Sequence, residues 1–225
     1  MSFAIRVTRA VAGALAFTLA ALALPACAQS PHTHQHRFSN ADKWSRVFDD
    51  PKRDAWQKPH EVIVALGLAP EASVADLGAG TGYFAARLAH AVPKGRVYAV
   101  DTEPDMVKFL AERAKKEGLA NLVAVPGTAA DPRLPAPVDL VLLVDVYHHI
   151  EGREAYFRKL RESLRPGGRV AIIDFNESSP SGPPRSERIA PAKVKAEMNA
   201  AGYAAAGEFG FLPNQFFLVF SPAGR

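Results

Sequence analysis

Cysteine is nearly absent. The single one among 225 residues is Cys27. It precedes the folded region, which therefore has no disulfide and no thiol chemistry. A strong charge of one sign is missing too. The formal net charge is +4, and setting aside Arg6 and Arg9, in an N-terminal stretch without acids, leaves +2. That excess is too weak, and too dispersed, to mark a nucleic-acid surface. No apolar run reaches the roughly 20 residues that a bilayer span needs. Internal repeats and low-complexity blocks are lacking, and the length suits one sizeable domain.

What is present begins with a leader. Arg6 and Arg9 form a positive n-region, Ala10 to Leu24 an apolar h-region, and Ala26-Cys27-Ala28 an A-x-A cleavage site. Residues 1–28 are expected to be a signal peptide and the protein to be exported to the periplasm. Leu24-Pro25-Ala26-Cys27 also resembles a lipoprotein box, although Pro25 departs from it. A membrane contact is expected only if Cys27 is lipidated or the leader stays attached. In the latter case the positive-inside rule still places the domain outside the cytoplasm. Residues 29–43 read as a mobile polar linker. Its "HTHQH" (His32, His34, His36) offers imidazoles without a preformed geometry, and no metal site is expected.

The folded domain is assigned to residues 44–225. A helix is expected from Asp54 to Leu66, with Pro59 kinking it or breaking it in two. From Ser73 onward, near-continuous apolar runs alternate with helical stretches. The runs are "SVADLG", "RVYAVD", "LVAVPG", "DLVLLVDV" and "RVAIIDF". The helices are Tyr83–Ala91, Pro104–Glu117, Arg153–Leu164 and Pro191–Ala201. Such alternation predicts an α/β fold with a doubly wound, mostly parallel sheet. The end of the chain, "YAAAGEFGFLP" and "QFFLVF", reads as an antiparallel hairpin turning at Pro213-Asn214.

"DLGAGTG" (76–82) lies between a strand and a helix, where glycines admit positive φ and close approach of a ligand. A dinucleotide fingerprint would carry a small residue at position 83; Tyr83 stands there, and the third glycine comes one residue early. Asp76, two residues before the first glycine, would sit poorly beside a pyrophosphate. Asp101 ends the second strand and can accept both hydroxyls of a ribose, with Glu103 as a neighbouring alternative.

Together these stretches resemble the core of class I S-adenosylmethionine-dependent methyltransferases. "VADLGAGTGYFAARLA" is similar to their first motif, "VYAVD" to the acidic second strand, and "DLVLLVDVYHHI" and "LRPGGRVAIIDF" to the fourth and fifth strands. The terminal hairpin is similar to their reversed seventh strand. The resemblance implies a seven-stranded Rossmann-like sheet and S-adenosylmethionine as cofactor. It implies that Asp76, Gly78, Ala79 and Gly80 surround the methionine moiety, with Asp145 beside them. Asp101 and Thr102 would hold the ribose, and Thr128 and Ala129 would lie near the adenine. Thr128 replaces the family's usual acidic residue, and Asp131 is the substitute.

A sulfonium is already activated, so such an enzyme mainly aligns a nucleophile and excludes water. A base is required only where the nucleophile must lose a proton. Tyr147, His148 and His149, after the fourth strand, are the catalytic candidates; each histidine equally reads as packing or hydrogen-bonding, and Tyr147 as a pocket wall. Arg185 and Arg188 could hold an anionic substrate or be surface charges. Trp44, Phe48 and Trp56 could close over the cofactor or simply pack. The expected function is methyl transfer to a small-molecule acceptor. A non-catalytic S-adenosylmethionine or nucleoside-binding protein, an NAD-dependent oxidoreductase and an aminopropyl transferase are the competing readings. S-Adenosylmethionine is made in the cytoplasm, which sets an exported enzyme the problem of obtaining it.

Overall fold

The computed structural model describes Met1 and residues 40–224. The leader, Cys27 and the three histidines of the tail lie outside the described residues. Among the described residues no helix is long and apolar enough to cross a membrane.

A seven-stranded sheet runs in the order β3-β2-β1-β4-β5-β7-β6. The strands are β1 (Ser73–Leu77), β2 (Arg96–Asp101), β3 (Leu122–Pro126), β4 (Val138–Val144), β5 (Leu164–Phe175), β6 (Tyr203–Phe209) and β7 (Gln215–Pro222). The first five are parallel, whereas β7 pairs antiparallel with both β5 and β6. The terminal hairpin thus inserts its second strand beside β5 and leaves its first at the edge.

The apolar runs follow from burial on both faces. Leu140, Val141, Leu142 and Leu143 of β4 have no exposed surface. On one face Val74, Leu140 and Leu142 pack with α3 (Pro59–Leu66), α4 (Tyr83–Ala91) and Leu110 of α5 (Pro104–Lys116). On the other, Ala75, Leu77, Val141 and Leu143 pack with Phe157 and Leu160 of α6 (Arg153–Leu160) and Val194 and Met198 of α7 (Pro191–Ala200). Period-two alternation across a fully covered sheet gives three layers. The helix expected to reach Leu164 stops at Leu160, and a 3-10 turn (Arg161–Ser163) leads directly into β5.

The segment before β1 forms a cover. Helix α1 (Ala41–Phe48) begins inside the stretch read as linker, because Asn40 accepts from Lys43 N and caps it. The helix expected over Asp54–Leu66 is broken: a 3-10 turn (Pro51–Arg53) precedes α2 (Asp54–Gln57), and Lys58 adopts φ 44° before α3. Pro59 disfavours αR geometry at the residue before it, and it starts the next helix well. Polar contacts hold the cover down: Arg113 donates to Asp49 at 2.9 Å, and Lys58 Nζ donates to the Phe211 carbonyl at 3.0 Å.

Candidate active site

Strand order reverses between β1 and β4, and an open α/β sheet places its ligand where its strands end at that point. The glycine loop leaves β1 there. Gly78 and Gly80 have φ of 67° and 56°. A Cβ on Gly78 would come within 2.4 Å of Val146 Cγ2, and one on Gly80 within 3.3 Å of Phe48. Both therefore need the left-handed region, and Gly78 also needs to be bare. Phe48, on α1, is the side chain facing Gly80, with Trp44 stacked on it at 5.3 Å.

Asp101 ends β2 beside this loop. One carboxylate oxygen accepts from Gly80 N at 2.8 Å, the other from Glu103 N at 3.0 Å. Burial raises its pKa; the N–H groups of Glu103, Gly80 and Thr102 oppose the rise. Asp101 thus shapes the glycine loop as well as presenting a carboxylate at the rim. Asp76 is 3% exposed. Its pKa is pushed up to about 7, first by burial and then by the charge of Asp101.

At the tip of β4, Asp145 adopts φ 59°, a region that Asp tolerates better than most side chains. It accepts from Gln215 Nε2 at 2.6 Å and from Gln57 Nε2 at 3.3 Å, and Arg53 Nη2 stands 4.0 Å away. Burial, then the charge of Asp174, raises its pKa. Arg53 also donates to Gln57 Oε1 and to the Phe48 carbonyl. Gln57 and Gln215 are 0% and 2% exposed. Neither they nor Arg53 stood out in the sequence. The available signal was a lone polar residue heading the apolar strand "QFFLVF".

The histidines lie beyond Asp145. His148 Nδ1 is 2.9 Å from both oxygens of Asp174, and His148 N donates to the same carboxylate. Burial opposes a charge on the ring. The hydrogen bond and charge of Asp174, with the charges of Asp145 and Glu187, outweigh it, and the pKa rises. His148 is thereby biased toward imidazolium, a poorer base at neutral pH than a free histidine. The His149 ring lies 4.0 Å from it. Tyr147 is no pocket wall: it is fully buried, stacked on Phe157, with its hydroxyl donating to Glu197 at 2.7 Å.

After β3, Thr128 donates through N and Oγ1 to the Asp131 carbonyl. The Asp131 carboxylate accepts from Lys159 and from Arg133 N. Asp131 thus faces a cavity of about 240 Å³ shared with Tyr156 and Lys159. Thr102 and Ala129 are exposed. Arg188 does not present its guanidinium to an anion. It donates to the carbonyls of Asn176, Glu177, Ser179, Ser181 and Pro183, and so pins the loop after β5.

Three buried side-chain oxygens among the described residues have no hydrogen-bond partner: Asp76 Oδ2, Thr81 Oγ1 and Gln215 Oε1. Asp76 is next to last in β1, Thr81 lies in the loop leaving it, and Gln215 pairs with Phe175 at the end of β5. A buried polar group left unpaired costs about 1–3 kcal/mol. Asp76 and Thr81 lie together at the glycine loop, and Gln215 lies farther along the same end of the sheet, beside the end of β5.

Residues 74–168 match the model of a family described as a methyltransferase domain. That stretch, from β1 into β5, is a methyltransferase domain of the S-adenosylmethionine-dependent kind. It is similar to the malonyl-[acyl-carrier protein] O-methyltransferase of Methylococcus capsulatus, 34% identical over 49% of this chain and 40% of that one. It is also similar to a ubiquinone/menaquinone biosynthesis C-methyltransferase of a Shewanella species, 28% identical over 53% of this chain and 49% of that one. The chain spans about half the length, or less, of these curated relatives. A solved S-adenosylmethionine-dependent methyltransferase from Aquifex aeolicus superposes with a TM-score of 0.74, at 26% identity, over 80% of this chain and 97% of that one. The family's cofactor is S-adenosylmethionine, and the orphaned Asp76 oxygen and the Asp101 carboxylate beside the glycine loop fit it. When bound, it supplies a methyl group on a positively charged sulfur.

Proposed function

We propose that this protein transfers a methyl group from S-adenosylmethionine to a small-molecule acceptor, and that it does so outside the cytoplasm. The unpaired buried oxygens of Asp76 and Thr81, in the strand and loop at the switch point, carry the reading. In this proposal Asp101 holds the ribose while fixing Gly80. Asp76 and the glycine loop hold the methionine side. Phe48, Trp56 and the rest of the cover exclude water from the reacting atoms.

Trp56 of the cover packs on Phe175 at the end of β5, with ring centroids 6.0 Å apart, and in this proposal the acceptor lies against the pair. Such apolar walls suit a small organic molecule. His148 serves there to balance the charges of Asp174 and Asp145 rather than to collect a proton. Export rests on the leader, with its arginines, apolar stretch and A-x-A site.

Calorimetric titration of the purified protein with S-adenosylmethionine, S-adenosylhomocysteine and NAD tests the first part. Micromolar affinity for the two sulfur ligands and none for NAD is expected; binding of NAD alone would overturn the assignment. An acceptor screen with labelled cofactor then reads transfer. Cell fractionation with N-terminal sequencing tests export. A cytoplasmic protein starting at Met1 would remove that part and leave the chemistry standing.

A further inference from the structure

The cavity of about 240 Å³ beside Asp131 lies between the connection from β3 to β4 and the end of α6. It belongs neither to the glycine loop nor to the tip of β4. Its polar lining is Asp131, Arg133, Tyr156, Lys159, Glu162 and Ser163. Tyr156, Lys159 and Ser163 recur every three or four residues, and so share one face of α6 and the turn that extends it. Across from them Arg133, between Pro132 and Leu134, adopts φ 52°. That left-handed geometry strains a long side chain, whereas glycine takes it freely. Asp131 holds the strained turn: one oxygen accepts from Arg133 N at 2.8 Å, the other from Lys159 Nζ at 2.7 Å. Strain kept where glycine would serve points to a use for the side chain.

Uncommitted donors outnumber acceptors around this cavity. Arg133 bonds through its backbone N, and its guanidinium has no hydrogen-bond or ion-pair partner among the described residues. The hydroxyls of Tyr156 and Ser163 have no hydrogen-bond partner there either. Burial, then the charge of Asp131, keeps the Tyr156 phenol protonated and so able to donate. Lys159 retains two N–H groups beyond its bond to Asp131. Of the two acids, Asp131 is engaged by Lys159 and by Arg133 N, and Glu162 is exposed to solvent. Two cations and two hydroxyls match a tetrahedral oxyanion. The guanidinium takes two of its oxygens in parallel, and the ammonium and hydroxyls reach the others. A carboxylate has only two oxygens to offer, and a cavity this small excludes a large ligand.

We propose that this cavity is a phosphate-binding site, in which Arg133 is the principal contact and Lys159, Tyr156 and Ser163 complete the shell. It takes free phosphate or the phosphate end of a small monoester. The anion shares Lys159 with Asp131, whose backbone bridges to Thr128. The site stands apart from the proposed methyl transfer and does not depend on it.

The test titrates the isotope-labelled protein with inorganic phosphate, glycerol 3-phosphate and acetate at constant ionic strength, followed by NMR. Saturable shifts are expected at the amides of Asp131, Arg133, Tyr156 and Ser163, with acetate at least ten-fold weaker than phosphate. Glycerol 3-phosphate binding more tightly than phosphate marks a monoester as the ligand, and the reverse order marks free phosphate. Arg133→Gly should weaken phosphate at least ten-fold without lowering Tm, because glycine suits the backbone there. Tyr156→Phe should weaken it several-fold. Shifts that do not saturate, or that lie away from these residues, overturn the site. So does Arg133→Gly or Tyr156→Phe with wild-type affinity, or acetate binding as tightly as phosphate.

Discussion

The Nδ1 atom of His148 lies 2.9 Å from each oxygen of the Asp174 carboxylate. The pair is almost fully buried, with side chains 5% and 6% exposed. The raised pKa of His148 sets the direction of its pH dependence. The native protein holds this proton more tightly than the unfolded chain. The resulting stabilisation is complete below about pH 6.5, the unfolded value, and is lost as pH rises through the folded value. Asp174→Asn should lower the imidazole titration followed by NMR. It should also destabilise the protein by about 3 kcal/mol near pH 6, and by less at pH 9. An unchanged His148 titration would show that Asp174 does not hold the charge.

Tyr147→Phe separates packing from catalysis. The lost bond to Glu197 should cost about 1 kcal/mol, read as a lower Tm. Glu197 retains Arg153 at 2.7 Å. Methyl transfer should be unaffected. A large fall in kcat in a well-folded variant would return Tyr147 to the reacting centre.

Asp101→Ala removes a carboxylate that accepts from two backbone N–H groups. Binding of S-adenosylhomocysteine should weaken at least ten-fold, equivalent to about 1.4 kcal/mol. The freed N–H groups of Gly80 and Glu103 should lower Tm as well. Affinity unchanged within two-fold would remove Asp101 from the ribose.

Asp76 predicts opposite effects on stability and binding. Its pKa of about 7 lies above the usual value of about 3.9. The native state takes up the extra proton between these values, so stability falls as pH rises from about 4 to 7 and stays low above. Asp76→Asn, neutral and similar in shape, should raise Tm at pH 8 by roughly 10 °C and leave it unchanged near pH 4. The same substitution should weaken cofactor binding. A Tm difference independent of pH would contradict the buried ionisation.

The parallel half of the sheet and its glycine loop were legible in the sequence for a local reason. Apolar runs, helix starts and "DLGAGTG" each declare themselves within a few residues, and Asp101 follows about one βα unit later. The polar cluster around Asp145 was not. Gln57 lies 88 residues from Asp145 and Gln215 lies 70. Only the folding of the cover across the sheet, and the insertion of β7 beside β5, bring them together. Tyr147 misled because its neighbours are polar: the 3-10 turn Tyr147–His149 sends successive side chains to different environments, one into the core and one onto Asp174. For Arg188 the sequence offered an anion ligand or a surface charge and neither describes it, because charge is visible in a sequence and a ring of carbonyls is not.

The reversed direction of β7 puts the beginning of a strand, Gln215, on a rim otherwise formed by strand endings. The short connection that precedes it, residues 210–214, touches the cover through Phe211 and Lys58. A change in its length or composition would therefore be felt in two places at once, at the cover through Lys58 and at the tip of β4 through Gln215 and Asp145.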